Sequence, residues 1–250
     1  MDEAFEHVPV IPPRLIQNVP RLDPVWFQRF AAFRTPDLAD QVGLHYTMDP
    51  GIRPLYEPME PMVGQALTVK PWPGDGLAMF GAASLAQSGD VLVVDGRGQL
   101  EISRGGFHVL SLPRKRGAAG AVIDGAIRDA TEFQEVGFPL FARSRTPHAS
   151  SKRRPGEINV PVSCGGVIVE PGDLVVGDSE GVVVIPRAHI SLVWEAVSGE
   201  RHLGQTDDQI EMNASKRWAN YERAFKAAGG VAADWTDPAA ESSGPGKLDQ

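Results

Sequence analysis

A single cysteine, Cys164, stands in 250 residues, so no intrachain disulfide can hold this fold, and a reducing compartment suits it. No apolar run approaches the roughly 20 residues that span a bilayer. The opening residues, MDEAFEHVPVIPP, lack the basic and apolar regions of a secretory leader. Positive charge is short as well: 24 Lys and Arg against 32 Asp and Glu leave a net charge of −8. The dense basic clusters are Arg114-Lys115-Arg116 and Lys152-Arg153-Arg154, too little to give a field that draws in nucleic acid. These absences predict a soluble, cytoplasmic protein with no nucleic-acid or membrane partner.

What is present is enough chain for one substantial core. Prolines at 9, 12, 13, 20 and 24 strip backbone donors from residues 1–25 and predict an extended arm. Residues 26–203 read as one α/β domain, 204–230 as a helical extension, and the Gly/Pro-rich 231–250 as a disordered tail. Within the domain, Trp26 to Phe33 is helical, and a second helix starts with Thr35 as cap and Pro36 in its first turn. A strand over VGQALTVKPW precedes a helix from about Leu77 to Gln87. From Gly89 the pattern turns to β-rich runs, GDVLVVDG, GAVIDG and GGVIVEPGDLVVGDSEGVVVIP, whose near-continuous Val and Ile predict strands covered on both faces. Asp95 and Asp124 are expected to end strands in Asp-Gly turns, and Asp178 with Glu180 to shape the GDSEG turn. Phe107 to Arg116 forms a crossover helix, shortened or bent at Pro113, and its right-handed connection places the loops after both flanking strands at one edge. Hairpins over 165–186 make the sheet mixed. Helices follow at about 187–201 and 206–228, the second with Trp218, Tyr221 and Phe225 as a packing stripe.

That shared edge gathers the chemistry. Gly105 and Gly106 open the crossover helix, where backbone N–H groups can converge on a carboxylate with no Cβ in the way. Just past the next strand, the Arg128 guanidinium could grip that carboxylate or an adjacent keto oxygen. Asp129 offers a hard oxygen ligand, with Glu132 three residues on, and carboxylates without matching His or Cys favour Mg²⁺ or Mn²⁺ over Zn²⁺. The residues alone equally fit a surface ion pair, a helix-terminal charge and a simple Gly-Gly turn.

GDVLVVDG, Gly106, RGAAGAVIDGAIRD, GFPLFARSRTP and INVPVSCGGVIVEPGDLVVGDSEGVVVIP, in this order over roughly residues 27 to 200, resemble one family. It holds the class II 4-hydroxy-4-methyl-2-oxoglutarate/4-carboxy-4-hydroxy-2-oxoadipate aldolases and the regulator of ribonuclease activity A proteins. The resemblance implies a three-layer α/β/β fold like the swivelling phosphohistidine domain, with mixed sheets and flanking helices. It also implies a homotrimer or hexamer with sites between subunits. The implied activity is a metal-dependent lyase that releases pyruvate from a 4-hydroxy-2-oxo acid, decarboxylates oxaloacetate, or both, through an enolate. By the same resemblance Arg128 holds the substrate, Asp129 the Mg²⁺ or Mn²⁺, and the amides from Gly106 to Val109 the carboxylate, while Lys152 falls near a pocket-lining basic position. The family's acidic residue is replaced here by Phe107, which leaves His108 and Glu101 as substitute bases. Other enolate chemistry on an oxo-acid, or a non-catalytic regulator, are the alternatives.

Overall fold

Alternation along one strand sets the architecture: Val91 and Val93 pack into one apolar cluster, Leu92 and Val94 into another, and all four are fully buried. The computed structural model describes residues 11–199 and 206–230. The chain separates into two compact units, Met1–Glu200 and Arg201–Gln250. In the first unit the strands are β1 (Arg53–Pro54), β2 (Met62–Lys70), β3 (Asp90–Ser103), β4 (Gly120–Ile127), β5 (Leu140–Arg145), β6 (Glu157–Ile158), β7 (Val162–Cys164), β8 (Val167–Val169), β9 (Leu174–Asp178) and β10 (Gly181–Ile185). Its helices are α1 (Val25–Phe30), α2 (Thr35–Val42), α3 (Leu77–Leu85), α4 (Phe107–Lys115), α5 (Ala130–Glu135) and α6 (Ile190–Gly199); the second unit carries α7 (Asp207–Ala227).

One sheet runs β1-β5-β4-β3-β2-β9-β10, with β6 also on β2, and β7 and β8 form a separate hairpin. The pairs β2-β3, β3-β4 and β4-β5 are parallel, and the remaining pairs antiparallel. Helices α3, α4 and α5 cover one face through Met79, Leu110 and Phe133. The β7-β8 hairpin covers the other through Val162, Cys164, Val167 and Val169. Helix, sheet, hairpin is the α/β/β layering expected. A third cluster, with Phe30, Leu38 and Val193, joins α1, α2 and α6 to β9 and β10.

Several local expectations need correction. Strand β4 does not end at Asp124-Gly125 but runs on to Ile127, with its register to β3 shifting between Ile123 and Ala126. An added Cβ on Gly96 would sit 2.3 Å from Asp124 O, so this glycine lets β3 and β4 stay close through the irregularity. Asp124 is buried inside β4, ion-paired with Arg143 and accepting the Gly165 N–H at 2.8 Å. Asp95 lies inside β3, and burial pushes its pKa up, opposed by the Arg97 and Ser163 amides. Asp124 is no turn residue, because its tertiary partners outweigh the local turn preference, whereas Asp95 accepts the Arg97 N–H at 3.1 Å just before the left-handed Arg97 and Gly98, a local turn held inside β3. Thr35 is the first residue of α2 rather than its cap; its N–H and hydroxyl both donate to Asp178, which thus serves α2 as well as the Glu180 N–H of its own turn. In α7 the Trp218 and Tyr221 rings meet tilted at 5.5 Å and the Tyr221 and Phe225 rings stack at 5.7 Å, but Trp218 and Tyr221 are exposed rather than packed inside. The proposed tail, 231–250, and the first ten residues of the arm lie outside the described residues.

Candidate functional site

Immediately after β4 the chain turns sharply, with Asp129 in left-handed backbone (φ 64°, ψ 42°) at the N-cap of α5. Aspartate tolerates this region better than most residues. The Arg128 N–H donates to Gly105 O at 3.3 Å, and Asp129 Oδ2 accepts the Phe107 N–H at 2.9 Å. The corner after β4 is thereby stitched to the start of α4, the two places that the parallel crossover brings to one edge. Arg128 Nε stands 3.7 Å from Asp129 Oδ2, the two side chains being 39% and 29% exposed. At that exposure the pair adds little stability, so its importance lies in where it points.

Gly106 has extended backbone (φ −162°) that any residue adopts. Space is what demands glycine: a Cβ here would lie 2.1 Å from Asp129 Oδ2 and 2.9 Å from Arg128 Cγ. Gly106→Ala should therefore push both side chains aside and break the Asp129–Phe107 hydrogen bond, lowering the melting temperature modestly and kcat/KM by about 10- to 100-fold. Steady-state kinetics beside a thermal melt checks this. The amides of the same turn are unequally available. Gly105 N–H donates to Ser103 Oγ, Phe107 N–H to Asp129, and Val109 N–H to Gly106 O. Gly106 and His108 N–H have no partner among the described residues, so two amides rather than the whole stretch can meet an anion.

A cavity of about 40 Å³ opens against this corner, lined by Gly105, Gly106, His108, Val109, Arg128 and Lys152 together with Phe80, Arg104 and Ser150. It admits a water or one end of a small acid, the rest extending through the mouth. Lys152 Nζ lies 5.2 Å over the Phe80 ring and the His108 ring 6.4 Å from it, so both basic groups stand over one aromatic floor. No carboxylate is among the lining residues, Asp129 included; Asp129 stands beside the cavity, its Oδ2 3.7 Å from Nε of the lining residue Arg128. Arg104 is 1% exposed and donates to Gly96 O at 3.0 Å and to Gln99 Oε1. Its Nε and Nη1 have no partner among the described residues. Burial lowers its pKa, opposed by the charge of Asp95.

Other candidates fall elsewhere. Glu101 is exposed on β3, and Glu132 is exposed on α5; neither lines the cavity. The Phe107 ring turns away and packs edge-on against Phe133 at 5.5 Å, and only its amide serves the corner. A larger cavity, about 1160 Å³, borders Trp72, Asp95, Arg97, Asp124 and Arg154 and shares no lining residue with the small one. Its carboxylates are committed to the fold, as Asp124 with Arg143 shows. The small cavity, beside the Arg128–Asp129 corner, is therefore the candidate site. Sequence reasoning missed the burial of Arg104, which has no signal in a polar Gly-rich stretch, and the part played by Phe80.

Among the described residues no three His, Cys, Asp or Glu side chains form a group that could hold a metal. Among these residues a closed Zn²⁺ site therefore has no ligand set, whereas Mg²⁺ or Mn²⁺ would need only one or two carboxylates and fill the remaining positions with water and substrate oxygens. Asp129 is such a carboxylate: Oδ2 is held by the Phe107 amide, and Oδ1 takes no hydrogen bond from the described residues.

Comparison with known proteins agrees in extent with this architecture. The sequence profile of the RraA-like family, described as Aldolase/RraA, matches residues 35–184. A Halalkalibacterium halodurans protein provisionally named a 4-hydroxy-4-methyl-2-oxoglutarate aldolase is 39% identical over 186 residues, 74% of this chain and 86% of that protein. The 4-hydroxy-4-methyl-2-oxoglutarate aldolase of Thermus thermophilus is 39% identical over 100 residues, 40% of this chain and 61% of its own length. Among solved structures, a Streptomyces coelicolor protein described as an unusual member of the RNase ES inhibitor RraA family superposes with a TM-score of 0.65 at 26% identity, covering 82% of this chain and 99% of that one.

Proposed function

The chain belongs to the RraA-like family, and from that premise we propose that it is a lyase that cleaves a 4-hydroxy-2-oxo acid to pyruvate and a second carbonyl compound, or decarboxylates oxaloacetate, with Mg²⁺ or Mn²⁺. The single observation that carries the reading is the corner where Gly106 leaves room for Asp129 and Arg128 beside two amides that have no partner among the described residues. In the retro-aldol step the C3–C4 bond breaks, its electron pair flows into the 2-oxo group, and the 4-hydroxyl proton leaves; C3 is protonated before pyruvate departs. In the decarboxylation the same bond breaks with loss of CO₂.

The Gly106 and His108 amides hold the carboxylate of the oxo-acid. Arg128 faces its keto oxygen, where negative charge grows during bond breaking, and a guanidinium already in place there lowers the barrier more than it aids binding. Asp129 would hold the divalent cation, which when bound acts as a Lewis acid toward that same developing charge. Lys152 over the Phe80 ring adds positive field at the rim. His108, on the cavity rim, takes the hydroxyl proton in place of the acid that Phe107 has displaced. Glu101 lies outside the cavity and carries no role here. The aldolase names of the relatives support the reading. The test is a coupled pyruvate assay on purified full-length protein with oxaloacetate and 4-hydroxy-4-methyl-2-oxoglutarate, with Mg²⁺, with Mn²⁺ and with chelator. Release that needs the metal is the expected result; no release from either acid would defeat the proposed activity.

A second reading draws on Phe107 and on the solved neighbour described as an RNase inhibitor family member: a binding protein with a silent pocket. It predicts no turnover and a protein partner whose binding survives Arg128→Met. Assembly as a trimer or hexamer, with the site completed by a neighbouring copy, belongs with the enzymatic proposal and is checked by light scattering.

A further inference from the structure

Asp75 is 2% exposed, outside the cavity, and holds more donors than any carboxylate of the site. Oδ1 accepts the Leu77 N–H at 2.8 Å, at the start of α3. Oδ2 accepts the Ser151 hydroxyl and the N–H groups of Arg153 at 2.8 Å and Arg154 at 3.2 Å. The backbones alongside pair as well, Gly76 N–H to Ser151 O at 2.8 Å and Ser151 N–H to Gly74 O at 3.1 Å. One carboxylate thus clamps the start of α3 to residues 149–154. Those two segments help frame the cavity that Arg128 also lines: α3 brings Phe80 and the loop brings Ser150 and Lys152.

We propose that Asp75 is a positioning residue, which fixes Lys152 over Phe80 and so sets the cationic rim of the cavity that Arg128 also lines. This rests on the reading of the cavity as an oxo-acid site, but the clamp itself does not need a ligand to be tested. A long, exposed lysine loses much rotamer freedom when held at one place, and a loop with three donors converging on one oxygen meets part of that cost in advance. In Asp75→Asn, an amide NH₂ turned toward those donors would face them with hydrogens, whereas the oxygen could still accept from only one side.

The experiment has two arms on the full-length protein. The first is hydrogen exchange without ligand: Asp75→Asn should lose protection at the Arg153 and Arg154 amides, and Ser151→Ala, which keeps the carboxylate and removes one donor, should lose less. Unchanged exchange in Asp75→Asn overturns the clamp. The second is a double-mutant cycle with Lys152→Met, read in KM and kcat for oxaloacetate. Asp75→Asn should raise KM about 10-fold with a smaller change in kcat, and the double variant should be no worse than the poorer single one. Additive losses would mean that Asp75 does not act through Lys152. If the wild type turns over nothing, the functional reading fails in the pyruvate assay, while the exchange arm still decides the clamp. Should Asp75→Asn not fold, Ser151→Ala carries both arms, an exchange pattern and a KM equal to wild type being the overturning result.

Discussion

Asp129→Asn should leave the protein folded and reduce kcat/KM by about 10³-fold or more, on the order of 4 kcal/mol of transition-state stabilisation. Asparagine is the informative choice. It tolerates the left-handed backbone that Asp129 adopts at φ 64° and can still accept the Phe107 N–H, so only the negative charge is removed. Alanine would add backbone strain and an orphaned amide, confusing a chemical loss with a structural one. Arg128→Met should cost about 10²- to 10³-fold, and Arg128→Lys less, since charge remains but the planar fork that can hold two oxygens is gone. Because the Arg128–Asp129 pair is partly exposed, neither change should move the unfolding free energy by more than about 1 kcal/mol. Steady-state kinetics paired with urea unfolding separates the two quantities.

His108→Gln is expected to lower kcat by about 10²- to 10³-fold with little change in KM, in the range that positioned acid–base groups contribute. His108 is exposed, so folding is unaffected. The more telling readout is chemical rescue: imidazole added to His108→Gln should restore part of the lost kcat, as expected when a missing proton acceptor is supplied from solution. An unchanged kcat in the variant would move the base elsewhere. Phe107 offers the converse test: its ring fills space against Phe133, so returning an acid there must first overcome the loss of that packing.

Asp75 makes a separate prediction about acid. Burial pushes its pKa up, but the Ser151 hydroxyl and the Arg153, Leu77 and Arg154 amides outweigh this and hold it below the ordinary 3.8. A carboxyl lowered on folding stabilises the fold above its unfolded value and loses that contribution as pH falls through its folded value. The melting-temperature gap between wild type and Asp75→Asn should thus be full at neutral pH and close only below about pH 3.8.

Much of this arrangement could be read from residue order because it follows from periodicity. Continuous Val and Ile runs separated by a helix-length segment imply parallel strands, and parallel strands bring Gly106 and Arg128 to one edge whatever the details. The details were set by longer-range contacts. Asp124-Gly125 has the local character of a turn, yet Arg143 and the Gly165 amide hold Asp124 inside a continuous strand. The amides after Gly105 looked equivalent, but Asp129 takes one of them. Glu132 has the spacing of a second ligand and is exposed on α5. Asp75 sits in a Pro-Gly-Asp-Gly turn, and nothing nearby in sequence indicates that its partners are some 76 residues away.

Oxalate, planar and doubly charged like the enolate of pyruvate, offers the most direct test of the claim that Arg128 and Asp129 jointly seat an oxo-acid with a divalent cation. Calorimetric titration of oxalate into the wild-type protein should give binding that requires Mg²⁺ and that Asp129→Asn abolishes. Oxalate binding of equal strength with chelator present, or undiminished in Asp129→Asn, would contradict it.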